Sequence, residues 1–200
     1  ASSVGKSSLA KKISNYYNCP LLHSGRLYRA VALKIVSKKI KINDKNKIIK
    51  VAQCLSENDL NSSDLFTSRI GKIASKISAR KYLRQELKSY QLAFPKKYTN
   101  RKKFVVIEGR DVGTEIFPLA KYKIFMWANA RIRAKRRHIQ IIKKGEKSSL
   151  SRVYREIIAR DNKDINRKIA PLRPAANSVL LDTSYLDIEQ AFNAIKRIIK

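Results

Sequence analysis

Ala1-Ser2-Ser3-Val4-Gly5-Lys6-Ser7-Ser8 opens the chain and sets how the rest of it is read. The run matches the phosphate-cradling pattern G-x-x-x-x-G-K-[ST] without its first glycine, which would stand one position ahead of Ala1. Small residues let consecutive backbone N–H groups turn inward onto a polyphosphate. The lysine bridges the outer phosphates, and a hydroxyl reaches Mg²⁺. Leu9, Ala10, Ile13, Tyr16 and Tyr17 then recur near helical spacing between lysines. A helix N-terminus would therefore stand behind the loop and favour an anion. A flexible start rich in small residues and lysine would read similarly, so the remaining segments have to decide.

Working outward, Pro20-Leu21-Leu22-His23 reads as a short buried strand closed by a turn at Ser24-Gly25, and 27–38 has helical periodicity. Residues 43–68 are polar with an apolar stripe through Ile48, Ile49, Ala52 and Leu55, which predicts a helix and then a loop around 58–64. Residues 70–92 are helix-patterned through Ile73, Ile77 and Leu87, with a break near Ser78-Ala79. Lys103-Phe104-Val105-Val106-Ile107 is continuous and β-branched, as buried parallel strands are, and runs straight into Glu108-Gly109-Arg110-Asp111. Residues 121–128 form a second such run, with Ile124, Phe125 and Met126 as its core. A very basic helix is predicted over 130–144 with Gly145 as its cap, another over 148–161, and a last short strand over 178–181. In the closing helix Asp187 and Gln190 form a capping-box variant, and Ala191, Phe192, Ile195 and Ile198 share one face. Strands alternating with helices imply a parallel α/β sheet. In such sheets ligands collect at the carboxyl ends of the strands. The cradle, Ser24 and the Gly109-Arg110-Asp111 segment would all lie there.

Two hundred residues predict one domain with room for a mobile subdomain. No apolar run approaches membrane-spanning length and no signal-peptide stretch stands at the start, so the expectation is a soluble, cytoplasmic protein. Cys19 and Cys54 lack metal-ligand spacing and read as reduced thiols. Lys and Arg number 45 against 15 Asp and Glu, a formal charge of +30. Such an excess favours polyanionic partners. Many of the lysines sit in solvated runs beside Ile and Asn, such as Lys38-Lys39-Ile40-Lys41-Ile42-Asn43, which reads as broad compositional bias. Aromatic interleaving is weak, and no helix-turn-helix or RNP signature is present. The charge points to an anionic ligand without requiring a long one, and specific nucleic-acid binding is not expected.

Four further segments carry chemistry: Ser24-Gly25-Arg26-Leu27-Tyr28-Arg29; Gly109-Arg110-Asp111-Val112-Gly113-Thr114; Arg160-Asp161-Asn162-Lys163-Asp164-Ile165-Asn166-Arg167; and Ala170-Pro171-Leu172-Arg173-Pro174-Ala175. Together with the cradle they resemble the bacterial-type cytidylate kinases, P-loop nucleoside monophosphate kinases, and the match runs through nearly the whole chain. The resemblance implies a three-layer α/β fold with a parallel sheet. Its core would span about 1–37, 101–129 and 162–200, with a helical acceptor-binding region at about 38–100 and a helical lid at about 130–161. It implies phosphoryl transfer from ATP to CMP or dCMP with Mg²⁺, by a monomer. Transfer of this kind leaves little covalent work for a protein, so cationic clamps and in-line positioning dominate. Arginine suits the task because its fork grips phosphate and stays charged.

By the same resemblance, the amides around Ser2, Ser3, Val4, Gly5, Ser7 and Ser8, with the Lys6 ammonium, would hold the ATP phosphates. Ser7 or Ser8 would serve Mg²⁺; the family usually has Gly-Thr after the lysine, which leaves the choice open. Arg29, Arg110 and Arg167 would grip the acceptor phosphate, with Lys6, Arg110 and Arg167 acting on the transfer itself. Ser75, Arg84 and Asp111 match positions that read cytosine, whose edge a hydroxyl, an arginine and a carboxylate complement. Uracil would leave the carboxylate facing another acceptor. Arg160 and Asp164 match contacts to the sugar hydroxyls; Ser24 lies in the acceptor segment, and Tyr28 would pack beside the base. Arg133, Arg136 and Arg137 begin the lid, and at least one arginine of 133–155 is expected over the phosphates.

Three departures from the family pattern stand out. His23 takes the place of a usual aspartate. The stretch between Leu55 and Leu65 is too short and polar for the small antiparallel insert of many bacterial members. The first strand, central to the family's sheet, would precede Ala1, and an extension supplying it is expected to raise the melting temperature and restore ATP binding. Two rival readings remain at this point: a kinase of broader pyrimidine acceptance that includes UMP, and a basic nucleic-acid-binding protein on a decayed kinase scaffold.

Overall fold

The computed structural model describes residues 2–98, 104–143 and 145–199. Along them run α1 (Lys6–Tyr16), β1 (Leu21–His23), α2 (Ser24–Ser37), α3 (Lys45–Gln53), α4 (Ser68–Ile77), α5 (Lys81–Lys96), β2 (Val106–Glu108), β3 (Ile124–Trp127), α6 (Ala130–Ile142), α7 (Leu150–Ile165), β4 (Val179–Asp182) and α8 (Ile188–Ile198). β1 pairs in parallel with β2, Leu21 opposite Val106 and His23 opposite Glu108. β3 pairs in parallel with β4, Ile124 opposite Val179 and Trp127 opposite Asp182. The alternation of elements thus gives parallel pairing as expected, in two two-stranded sheets. A parallel pair needs a long crossover, and each pair closes within one of two compact units, Cys19–Gly109 and the combination of Ala1–Asn18 with Arg110–Lys200.

In the Cys19–Gly109 unit, Leu27, Val31 and Ile35 of α2 recur at one-turn spacing. They belong to a single core with Ile48 of α3, Ile70 and Ile77 of α4, and Leu83 and Leu87 of α5. Leu27, Ile48, Ile77, Leu83 and Leu87 are fully buried, each contributing about 1.5–3 kcal/mol relative to exposure. The expected turn at Ser24-Gly25 is instead the first turn of α2. Serine and glycine suit turns and helix starts alike, and extended His23 (φ −88, ψ 92) hands the strand directly to the helix. The break near Ser78 is real: Arg80, extended at φ −85 and ψ 120, precedes α5. Between α3 and α4 stand two single 3₁₀ turns, Asn58–Leu60 and Ser63–Phe66, with no strand among the described residues there. β2 is shorter than its apolar run: Phe104 and Val105 precede it, and Lys103 lies outside the described residues.

In the other unit α1 buries Leu9, Ala10 and Ile13, while Tyr16 is exposed. α6 and α7 pack through Ala134, Val153 and Ile157. The end expected at Gly145 is present, although Lys144 lies outside the described residues. Gly145 is left-handed (φ 77), its N–H donating to Ile142 O at 2.8 Å and the N–H of Glu146 to Ile141 O at 3.3 Å. Those two bonds are the Schellman pair that closes a helix on glycine. α7 continues four residues past its expected end, so Arg160, Asp161 and Asp164 ride on its last two turns. The segment after Asp111 closes a wide π-type turn over Val112–Ile116. α8 carries the full capping box of Asp187 and Gln190. None of the described helices is long and apolar enough to cross a membrane.

Candidate functional site

The chain enters α1 through two residues in the left-handed region, Ser3 (φ 57) and Gly5 (φ 91). Glycine takes that conformation without a Cβ penalty, whereas at serine it stores strain. Backbone turned this way aims successive N–H groups into one concavity, an anion nest. Val4 between them is 1 % exposed. Its carbonyl accepts from Thr183 Oγ1 at 3.0 Å, and the same hydroxyl stands 3.0 Å from Trp127 O. Thr183, just past β4, therefore ties the floor of the nest to the end of β3. The first helical bond runs from Leu9 N to Gly5 O at 3.0 Å. The amides of Lys6, Ser7 and Ser8 thus precede the i→i−4 ladder, at the positive end of an eleven-residue helix. Ser7 and Ser8 are exposed there and Lys6 is half-buried. Ala1 lies outside the described residues.

Beside the nest stands a cluster of arginines and carboxylates in the same unit. Arg133, 5 % exposed, donates from Nε to Ala128 O at 2.8 Å and from Nη1 to Ser2 O at 3.3 Å and Asp161 Oδ2 at 2.5 Å. Asp161 Oδ1 and Ser2 Oγ are buried without hydrogen-bond partners among the described residues. Arg136 is committed elsewhere, to the carbonyls of Thr183 (2.6 Å), Ser184 (3.2 Å) and Leu186 (3.2 Å), and Arg137 is exposed. Arg110 Nε lies 2.5 Å from Asp164 Oδ2, an ion-pair contact off the line of a hydrogen bond. Arg160 precedes Asp164 by one helical turn, on the same face of α7. Arg167 Nε donates to Ala170 O. Asp111 is 7 % exposed, and its carbonyl accepts from Glu115 N at 2.8 Å. Gly113 of the same motif packs on the last residue of the Ala-Pro-Leu-x-Pro-Ala run: a Cβ there would come within 3.2 Å of Ala175 Cβ.

The Cys19–Gly109 unit holds the remaining predicted residues. Arg84 Nη1 donates to the Tyr28 hydroxyl at 3.3 Å and to Ser78 O at 3.2 Å, with its guanidinium 5.7 Å from the Tyr28 ring centroid. Ser78 Oγ in turn donates to Ser75 O at 2.9 Å, which leaves the Ser75 side chain exposed on α4. Arg29 donates to Leu65 O, and a Cβ on Gly71 would approach Arg29 Nη2 to 3.1 Å. Ser24 is 2 % exposed and donates to Gln91 Oε1 at 2.7 Å. Thr183, Asp161 and Gln91 were not singled out in the sequence. Asp161 stood inside the quoted run 160–167, which could have flagged it; the other two are visible only through contacts 67 to 179 residues apart in sequence.

A groove of about 490 Å³ is lined by Ser8, Lys11, Lys12, Asn15, Tyr16 and Phe192. Of the cradle it includes Ser8 alone, so the nest and the arginine cluster, not this groove, define the candidate site. Among the described residues no cluster of three His, Cys, Asp or Glu side chains offers a metal cage.

The family model described as cytidylate kinase matches residues 1–200. A cytidylate kinase of Bartonella tribocorum is 38 % identical over 188 residues, covering 94 % of this chain and 86 % of the relative. One of a Bradyrhizobium species is 35 % identical over 190 residues, covering 95 % and 88 %. One of Brucella suis is 34 % identical over 195 residues, covering 98 % and 87 %. With an anion nest at a helix start, buried arginine–carboxylate pairs behind it and this likeness along its length, the chain belongs to the cytidylate kinase family.

Proposed function

We propose that the chain transfers the γ-phosphoryl group of ATP to CMP or dCMP, giving ADP and CDP or dCDP. The observation that carries this reading is the cradle: left-handed Ser3 and Gly5 ahead of Lys6 at the start of α1, with Arg133 bonded to the cradle's own Ser2 carbonyl. Backbone N–H groups and the Lys6 ammonium bind the ATP phosphates. Arg110 and Arg167 hold the acceptor phosphate and the transferring group, with Arg29 as a further clamp on the acceptor. Asp111, Arg84 and Ser75 read the cytosine edge, Tyr28 packs beside it, and Arg160 and Asp164 take the sugar hydroxyls. The pairing of Arg110 with Asp164 supports this, because a carboxylate that fixes a guanidinium reduces the rotamer freedom lost on gripping phosphate. Segment 130–161 is the helical lid of a three-layer kinase fold. Arg133, bonded to the cradle at Ser2 O, is the lid arginine assigned to the phosphates.

The residues also fit Mg²⁺. That ion keeps most of its shell as water and phosphate oxygens and asks little of the protein beyond one oxygen, which the exposed hydroxyls of Ser7 and Ser8 offer at the first turn of α1. When bound, it neutralises charge on the β- and γ-phosphates. The protein works as a cytoplasmic monomer on small nucleotides, its excess positive charge serving no sequence-specific nucleic-acid contact. The test is product identification by ³¹P NMR with ATP, Mg²⁺ and CMP. CDP and ADP accumulating one for one is the expected result; ADP and inorganic phosphate without CDP would overturn the reading.

A further inference from the structure

His23 and Glu108 are the last residues of β1 and β2 and stand opposite each other in register. His23 Nδ1 lies 2.9 Å from Glu108 Oε2, and both side chains are mostly buried, at 13 % and 16 % exposure. An ionised carboxylate only accepts, so the proton of this bond sits on Nδ1. The strands it joins have three residues each, and so short a parallel ladder fixes its open end weakly. What leaves that end matters. α2 starts at the next residue with His23 as its N-cap and carries Tyr28 and Arg29, while β2 continues in the chain through Gly109 to Arg110 and Asp111.

We propose that His23 is a positioning residue for the acceptor nucleotide: its bond to Glu108 clamps the ends of β1 and β2 and fixes the origin of the helix that presents Tyr28 and Arg29. This rests on the kinase reading above. The clamp is a hydrogen bond between two mostly buried side chains at the paired strand ends.

The charged and titratable groups around His23 are consistent with this. Arg26 of α2, Glu57 before the first 3₁₀ turn, Tyr90 of α5 and Tyr98 just past that helix line with it a cavity of about 210 Å³. Arg26 donates to Leu60 O at 3.3 Å, and Glu57 is paired with Lys97 at 3.1 Å. Burial, then the Glu57 charge, pushes the Tyr90 hydroxyl up, so it stays neutral here. Glu108 is the carboxylate in contact with the imidazole.

Calorimetric titration of CMP without ATP, and steady-state kinetics with it, on wild type, His23→Ala, His23→Asn and Glu108→Gln at one fixed pH tests the proposal. Loss of a charge-assisted bond predicts that His23→Ala raises Kd and KM for CMP about five- to tenfold, with kcat within about twofold. The asparagine amide takes the place of Nδ1, so His23→Asn should match wild type within about twofold. Glu108→Gln keeps an accepting oxygen and loses the charge, so it should raise Kd for CMP about threefold. Equal CMP affinity in all four proteins, or His23→Asn binding CMP as weakly as His23→Ala, would overturn the clamp. A wild-type chain with no affinity for CMP would instead overturn the kinase reading, and the proposal with it. If His23→Ala fails to fold, the asparagine and glutamine variants decide.

Discussion

Arg133 Nη1 donates to Asp161 Oδ2 across 2.5 Å, with the two side chains only 7 % and 10 % exposed. The pair joins α6 to α7, and the same guanidinium nitrogen reaches the cradle at Ser2 O. Removing one partner of a buried pair leaves the other charge uncompensated, at a cost of about 3–5 kcal/mol. Asp161→Ala is therefore expected to lower the melting temperature by roughly 6–20 °C in a chain of this size. Arg133→Met added to it should restore part of the loss, because the orphaned charge goes too. Scanning calorimetry on the three proteins checks this; an unchanged midpoint in Asp161→Ala would show that the pair carries no weight.

Lys6 stands at the first helical position of α1, where the cradle meets the helix dipole. If its ammonium meets charge that grows on the outer phosphates during transfer, Lys6→Ala should lose about 2–4 kcal/mol of barrier lowering, or roughly 30- to 1,000-fold in kcat. Wild-type turnover in the variant would remove Lys6 from the reaction.

Ser24 is assigned to the acceptor site by resemblance, yet its hydroxyl proton is spent on buried Gln91 at 2.7 Å. Ser24→Ala would leave Gln91 Oε1 short of a donor, a loss of about 1–3 kcal/mol in stability. A fall in denaturation midpoint with the KM for CMP unchanged assigns Ser24 to the core. A several-fold rise in KM at constant stability assigns it to the nucleotide.

If Asp111 reads cytosine as proposed, its carboxylate only accepts, which suits an exocyclic amine and repels a carbonyl. An asparagine there both donates and accepts. Asp111→Asn is expected to narrow the preference for CMP over UMP by roughly tenfold or more, about 1.4 kcal/mol of lost discrimination. An unchanged ratio of kcat/KM values, with circular dichroism intact, would take Asp111 out of base readout.

Local chemistry was legible in the sequence and distant contacts were not. Gly145 and the Asp187–Gln190 pair announced their helix ends because caps are written within a few residues. Ser24-Gly25 misled because the same residue types serve turns and helix starts. β2 came out shorter than its apolar run because pairing with three-residue β1, not hydrophobicity, sets strand length. The wide turn after Asp111 has no periodicity to reveal it. Among the basic residues of α6, spacing could not separate Arg133 from Arg136 and Arg137; the contact that does so links Arg133 to Ser2, 131 positions away.

The central claim is acceptor choice by a phosphoryl-transfer enzyme, and the most direct measurement is coupled ADP release with CMP, dCMP, UMP and AMP at fixed ATP and Mg²⁺. The account predicts efficient release with CMP and dCMP, and kcat/KM values for UMP and AMP lower by about two orders of magnitude or more, since a mismatched base leaves buried polar groups unpaired. Comparable release with UMP would point to a broader pyrimidine kinase. No release above the ATP-only rate with any of the four, alongside tight and sequence-selective nucleic-acid binding at physiological salt, would contradict the account outright.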